Sequence, residues 1–389
     1  MKIDKITNPI QKKFVEIDAT ANINADIETR LTYVVETNNI YPTKKEEFDK
    51  LVENVKEDIQ KNGNDISDRD AHRAAAFTSG IAVICTEIFN DDADAQKCID
   101  ALNREFEIFS GEEFTQDPFL KKSFSEYKKG KYTITTDKIH PYQICVYSEP
   151  KRDGKTGIII PRLCTVEDEF SYPVLLRDDN VISTVNPSVH FTVKRHVEAA
   201  KGRVLVLGCK LGYYPYLASL KDEVESITIV EENKDLAELF KEAILPTFEQ
   251  KEKINVETAE PTLYLKGVKD GEYDVCYVNN WINLSETGNY LKMKHAAKAF
   301  DKTVFTYQDE EAFLLHLSSF VCRKMEETYY LALGYDPSQI PLLPPSEEKK
   351  AKYVEKLTKS VVIDSPEAID KYLDPLTIKE MIETLPCKY

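Results

Sequence analysis

Long apolar runs, an excess of positive charge and closely spaced metal-ligand residues are all missing from this chain of 389 residues. No segment approaches the roughly 20 apolar residues that a membrane-spanning helix needs. The start of the chain, Met1 to Pro9, has no apolar core of signal-peptide length. With 51 Lys and Arg against 67 Asp and Glu, the formal net charge is −16. A broad nucleic-acid footprint needs a basic face to displace counterions from phosphates, so nucleic acid is the weaker candidate partner. The six histidines (His72, His140, His190, His196, His295, His316) show no His-x-x-x-His or His-Glu-x-x-His spacing. His190 and His196 lie six apart, off a common helix face, and no metal site is expected. The eight cysteines (Cys85, Cys98, Cys145, Cys164, Cys209, Cys276, Cys322, Cys387) include no Cys-x-x-Cys pair. They read as small buried hydrophobes in a reducing compartment rather than as a disulfide framework, and the expected location is the cytoplasm, away from membranes.

What is present is apolar material, 42% of residues, enough for two or three domains with real cores. From about residue 44 to 128 the period is helical. Phe48, Leu51, Val52, Val55 and Ile59 form one stripe, and Asn62, Gly63 and Asn64 end it. Ser67 to Asp70 opens a second helix that runs through Phe77 and Ile81 to Ile84, and a third is expected near 94–109, before Gly111. Between about 130 and 186 the segments turn short and β-branched: Tyr132 to Thr136, Gln143 to Tyr147, Gly157 to Ile160 and Val174 to Leu176. Turn signals such as Asp153-Gly154 separate them, as in a small antiparallel sheet. From Val193 to Tyr307 strands alternate with helices, which predicts right-handed βαβ units and a parallel sheet. A strong helix follows Asp309, then a linker with Pro337, Pro341, Pro344 and Pro345, then a helical tail. The expected organisation is a helical domain over 1–130, a β-rich connector over 131–186, an alternating domain over 187–335 and a tail over 336–389. No internal repeat or low-complexity segment is found.

The alternating region holds the chemistry. Arg203 to Leu207 reads as a buried strand, followed by a turn with Gly208 and Gly212, a helix, and a second strand, Ile227 to Val230, ending in Glu231. In a doubly wound sheet the ligand sits beyond the carboxyl ends of the strands, where strand order reverses, and glycine lets the backbone approach it. The spacing Gly-x-Gly-x-x-Gly of dinucleotide sites is absent; the outer glycines of Gly-x-Gly-x-Gly are kept, with Lys210 between them. Glu231 stands nineteen residues after Gly212, where a carboxylate accepts ribose hydroxyls. The next strand ends at Glu257 to Pro261, and a further one, Tyr273 to Val278, ends in Asn279, Asn280 and Trp281.

These residues, from Ala199 through Gly208 to Pro246, resemble class I S-adenosylmethionine-dependent methyltransferases, in particular bacterial members with an N-terminal helical extension. The resemblance covers roughly residues 185 to 310. It implies an α/β fold: a Rossmann-like methyltransferase sheet with helices on both faces, beside the helical N-terminal domain and the small antiparallel β segment. It also implies S-adenosylmethionine as cofactor. Gly208, Lys210 and Gly212 would lie along its methionine part, Glu231 would bind the ribose, Ala259 and Glu260 would sit by the adenine, and Asn279 would stand near the sulfonium. The family supplies no single catalytic residue, because methyl transfer needs mainly alignment. The acceptor would be a small molecule or a protein, and the acidic surface and helical extension are suited to a protein partner.

Three positions depart from that pattern: Lys210 for the middle glycine, Val206 for an acidic residue in the first strand, and Asn279 for an aspartate. Lys210 has two readings. Its ammonium pairs with the cofactor's carboxylate, or its stem and Cβ close the pocket. The first gives an active methyltransferase, the second a non-catalytic relative acting as a binding or scaffolding protein. A third reading, an aminopropyl transferase of the spermidine-synthase type, shares the sheet but relies on a strand-end acid that Asn279 lacks. Trp281 either stacks on a ligand ring or caps the local core. Asn186-Pro187-Ser188 reads as a helix start and falls where relatives place a segment closing over the cofactor. Glu46-Glu47 and Asp91-Asp92 read as solvated faces and caps, and Tyr213-Tyr214 and Tyr329-Tyr330 as packing residues.

Overall fold

A computed structural model describes residues 1–36, 44–82, 93–339, 342–384, 386 and 389. The predicted helical stretch beyond Ala82, with Cys85 and the Asp91-Asp92 pair, lies outside them, as do Pro341 and Cys387. The chain opens with β1 (Lys2–Ile3), α1 (Asn8–Glu36), α2 (Lys45–Lys61), α3 (Asp68–Phe77), α4 (Ala93–Arg104), β2 (Glu107–Phe109) and α5 (Glu112–Thr115). Six strands follow: β3 (Tyr127–Lys129), β4 (Tyr132–Ile139), β5 (Cys145–Arg152), β6 (Ile159–Val166), β7 (Phe170–Arg177) and β8 (Asn180–Thr184). The alternating part runs α6 (Pro187–Glu198), β9 (Gly202–Leu207), α7 (Tyr213–Ser219), β10 (Val224–Glu231), α8 (Lys234–Leu239), β11 (Ile254–Thr258), α9 (Pro261–Gly267), β12 (Val275–Val278), α10 (Thr287–Ala297) and β13 (Val304–Tyr307). It continues into α11 (Glu310–Ala332), α12 (Glu348–Leu357), β14 (Val362–Ile363), α13 (Pro366–Leu373) and α14 (Pro375–Thr384).

The central sheet has the order β11-β10-β9-β12-β13, and every neighbouring pair is parallel. Its central strands β9 and β12 are apolar on consecutive residues, Val204 to Leu207 and Val275 to Val278, because both faces are covered, while the edge strand β11 alternates. Leu205, Leu207, Cys276 and Val278 face one core, while Val204, Val206, Val275 and Tyr277 face the other. The first core is completed by Ile10, Phe14 and Ile17 of α1, by α11, and by Tyr353, Ile369, Ile378 and Ile382 of the tail. The second is completed by Tyr213, Tyr216, Leu236 and Phe240, with Tyr132 and Ile134 of β4. The chain has the α/β fold expected of it, with a Rossmann-like parallel sheet. Among the described residues no helix is long and apolar enough to cross a membrane.

Several local signals act as the sequence suggests. Ser67 caps α3 by accepting from the Asp70 N–H at 3.1 Å, and Asn186 caps α6 by accepting from the Val189 N–H at 3.1 Å, with Pro187 in the first turn. Gly63, at φ +78, follows α2.

Elsewhere the structure differs. The third predicted helix stops at Arg104, and Glu107–Phe109 becomes a strand instead, because it finds a parallel partner in β6. The connector holds two sheets rather than one. One is four-stranded and antiparallel, in the order β3-β4-β7-β8; the other is three-stranded and mixed, in the order β2-β6-β5. Helix α9 was not expected, and within the helical stretch expected over 1–130 no periodicity marks α1, whose apolar residues divide between two cores. Ile10, Phe14 and Ile17 join the sheet's core, and Ile23, Ile27 and Val34 join Phe48, Ala75 and Leu102 in the helical region. No single stripe therefore marks α1 in the sequence. The first and last parts of the chain also meet, since β1 pairs in parallel with β14.

Candidate functional site

Strand order reverses at β9, between β10 and β12, so the crevice at their carboxyl ends is where this fold holds a ligand. The turn after β9 is built for close approach. Gly208 has φ +94, and a Cβ there would stand 2.5 Å from the Asn279 carbonyl oxygen. Gly212, at φ +74, starts α7. Lys210 also has a positive φ, +42, which a side chain tolerates poorly.

Lys210 crosses the mouth of the crevice. Its Nζ donates to Asn279 Oδ1 at 2.6 Å, joining the β9 turn to the end of β12. Burial pulls its ammonium below the ordinary lysine range, against the fields of Asp309, Glu286 and Glu231. The space beside it is about 20 Å³, lined by Lys210, Gly208, Tyr214, Tyr277 and Asn279, with Thr184 and Val185 at its edge from the end of β8. That is near the room one water needs and far below the roughly 300 Å³ or more of a small-molecule site. Tyr214 borders this space, and its buried hydroxyl has no hydrogen-bond partner among the described residues.

The other predicted site residues are close by but occupied. Glu231 is buried, and its carboxylate accepts from the Cys209 N–H at 3.2 Å and the Asn233 N–H at 2.9 Å. Burial raises its pKa, and those two N–H groups oppose the shift. The Ala259 N–H donates to the Glu231 carbonyl. Glu260 caps α9, accepting from the N–H groups of Thr262 and Leu263 at 3.0 and 2.6 Å. Trp281 turns into the core at 1% exposure, edge-on to Tyr290 and Phe313. Beside Lys210 and Asn279 the space is too small, with the side chains as they stand, for the methionine part of S-adenosylmethionine, and Glu231, Ala259 and Glu260 each make a hydrogen bond within the protein.

Two polar groupings near the crevice had no signal in the sequence. In the first, the Tyr213 hydroxyl donates to Asp117 Oδ2 at 2.8 Å and lies 3.0 Å from His190 Nδ1, while His190 Nε2 lies 3.1 Å from Glu113 Oε1. Burial lowers the His190 pKa against the pull of Glu113 and Asp117. This chain of contacts ties α5 to α6 and α7. It borders an open groove of about 1000 Å³ that includes Phe109, Glu113, Asp117, Lys194, Glu198 and Lys221, away from the glycine turn. Asp117 and Tyr213 are 96 positions apart, so no local pattern joins them. Tyr213, read from the sequence as packing, is also a hydrogen-bond donor.

The second grouping centres on Glu149 of β5. Its carboxylate accepts from Arg195 Nη2 at 2.9 Å and from the Glu311 N–H at 3.1 Å. Burial, with Asp309 and Glu311 nearby, pushes its pKa up to about 7 despite Arg195. A carboxyl whose folded pKa is raised supports the fold most below its ordinary value near 4.5, and loses that contribution as pH rises through 7. The shift corresponds to about 3 kcal/mol. We expect Glu149→Gln to flatten the stability profile by about that amount between pH 5 and 8. Denaturant unfolding of both chains across this range measures it, and two parallel profiles would count against the raised pKa.

Among the described residues no group of three or more His, Cys, Asp or Glu is arranged to hold a metal ion. No family model matches the sequence, and no curated protein matches it. The structure is similar to solved spermidine synthases. The one from Thermotoga maritima is 15% identical over 35% of this chain and 49% of that chain, with a TM-score of 0.28. A spermidine synthase in complex with the transition state analogue AdoDATO is 14% identical over 35% of this chain and 48% of that chain, with a TM-score of 0.26. The chain thus spans about half the length of these structures. A likeness this slight carries no argument about activity.

Proposed function

We propose that this chain is a non-catalytic relative of the S-adenosylmethionine-dependent methyltransferases, acting as a binding or scaffolding protein. The observation that carries this reading is the closed crevice: Lys210 is bonded to Asn279 across its mouth, and about 20 Å³ remains. A fold whose ligand space is filled keeps its architecture and its surfaces. The partner in this reading is a protein engaged through the helical N-terminal region, where Glu46, Glu47, Glu53 and Glu57 of α2 are exposed.

Calorimetric titration with S-adenosylmethionine tests it. The native chain is expected to give no saturable heat at millimolar ligand, which corresponds to a binding free energy weaker than about −4 kcal/mol. Lys210→Gly removes the bridging side chain, so binding gained by that variant alone would point to Lys210 as the block. Micromolar binding by the native chain, lost in Lys210→Ala, would overturn the proposal. It would restore the reading in which the ammonium holds the cofactor's carboxylate and the protein is a methyltransferase.

A further inference from the structure

Cys145 and Cys164 are nineteen positions apart in the chain and stand directly opposite each other in the antiparallel β5–β6 ladder. Their sulfurs are 3.5 Å apart, and both thiols are free. Opposed residues of antiparallel strands have Cα separations of about 4.5–5.5 Å, inside the range of about 4.4–6.8 Å that a disulfide accepts. Closing from 3.5 Å to a bond of about 2.05 Å therefore asks for side-chain rotation, not for movement of the strands. We infer that Cys145 and Cys164 are a modification site: an oxidisable dithiol that a low-molecular-weight disulfide of the glutathione type converts into a cross-strand disulfide stapling β5 to β6.

The two thiols are not equivalent. Cys164 is fully buried on the central strand of its sheet, with Glu107 of β2 opposite it on the other side. Cys145 is half-buried, so it is the thiol a small disulfide reaches. Burial, with Cys145 and Glu107 beside it, pushes the Cys164 thiol well above its ordinary range, which makes it the slower partner.

The exchange balances in two steps. The Cys145 thiolate attacks one sulfur of R–S–S–R, forming Cys145–S–S–R and releasing RS⁻. The Cys164 sulfur then attacks Cys145 Sγ, forming the Cys145–Cys164 bond and expelling the second RS⁻. The two thiol protons end on the two released thiolates, so the dithiol loses two electrons and R–S–S–R becomes two R–SH. The bond would pin β5 just before its register shifts, which lie between Val146 and Ser148 and between Ser148 and Lys151, and four residues before Glu149. Closing this loop is expected to raise the thermal midpoint by a few degrees.

The test uses the native full-length chain with excess oxidised glutathione, alkylation after acid quench and denaturation, and peptide mass spectrometry without reduction. The expected result is a linked Cys145–Cys164 peptide, loss of alkylation at both positions, and recovery of both with dithiothreitol. Cys164→Ser is expected to stop at a glutathione adduct on Cys145. Three results would overturn the inference: both cysteines staying alkylatable while Cys322 reacts, a persistent adduct on Cys145 in the native chain, or linkage of either to a third cysteine. The native chain alone decides between these, so the test stands even if the variant does not fold.

Discussion

Gly208→Ala is expected to destabilise the chain by about 3–5 kcal/mol, a size reached only by a backbone clash or a comparable core defect. Gly208 holds φ +94, where an L side chain is strained by about 1–2 kcal/mol. The new Cβ would also meet backbone, at 2.5 Å from the Asn279 oxygen, 2.9 Å from its carbonyl carbon and 3.0 Å from Asn280 Cα. None of these atoms can rotate away. Relief requires moving the end of β12, where the Asn279 N–H donates to the Leu207 carbonyl and Val278 is in register with Leu207. Gly154→Ala is the matched control, because a Cβ there meets nothing within 4 Å. It should change stability by less than about 0.5 kcal/mol. Urea unfolding of both variants measures the difference, and a Gly208→Ala chain within about 1 kcal/mol of native would mean that the two strand ends are not packed this closely.

Lys294→Ala is expected to cost about 3 kcal/mol and to loosen the end of the chain. The Lys294 ammonium, on α10, lies 3.1 Å from Glu310 Oε1 and 2.5 Å from Glu383 Oε1, and it sits over the Tyr307 ring. Glu310 also accepts from Lys379 Nζ at 2.7 Å and from the Tyr290 hydroxyl at 3.1 Å. Burial pushes the Glu310 pKa up, but Lys294 and Lys379 outweigh it and hold the carboxyl below its ordinary value. Removing Lys294 leaves a buried carboxylate with less compensation, which costs more than the pair itself contributes. The same cluster joins α10 and α11 to α14, so limited proteolysis should release a C-terminal fragment from the variant sooner than from the native chain. Lys294→Ala combined with Glu310→Gln removes the uncompensated charge and is expected to recover part of the loss. Equal stability of the native and Lys294→Ala chains would show that the tail is held by its apolar residues alone.

The parallel sheet was legible in the sequence. A strand covered on both faces is apolar at consecutive positions, and Val204 to Leu207 and Val275 to Val278 carry that mark, with Ile227 to Val230 broken only by the half-buried Thr228. Gly208 and Gly212 were legible for a related reason, since the turn needs positive φ and close approach. The connector was legible as strands but not as two sheets. The partner of β6 is β2, a segment whose local pattern continues a helix. Helix α1 was hidden because its apolar residues serve two cores on different sides.

The sequence by itself determined the alternating architecture, the caps at Ser67 and Asn186, and the place where a ligand crevice must lie. These follow from short-range periodicity and backbone sterics, which a few neighbouring residues suffice to express. Tertiary structure alone decided where the Lys210 side chain lies. That side chain meets Asn279, and Thr184 and Val185, from the end of β8, line the space beside it. It also decided that Cys145 faces Cys164, that Lys294 meets Glu383, and that Lys2 pairs with Val362. Each of these joins residues whose separation along the chain carries no local pattern. Packing, not periodicity, brings them together.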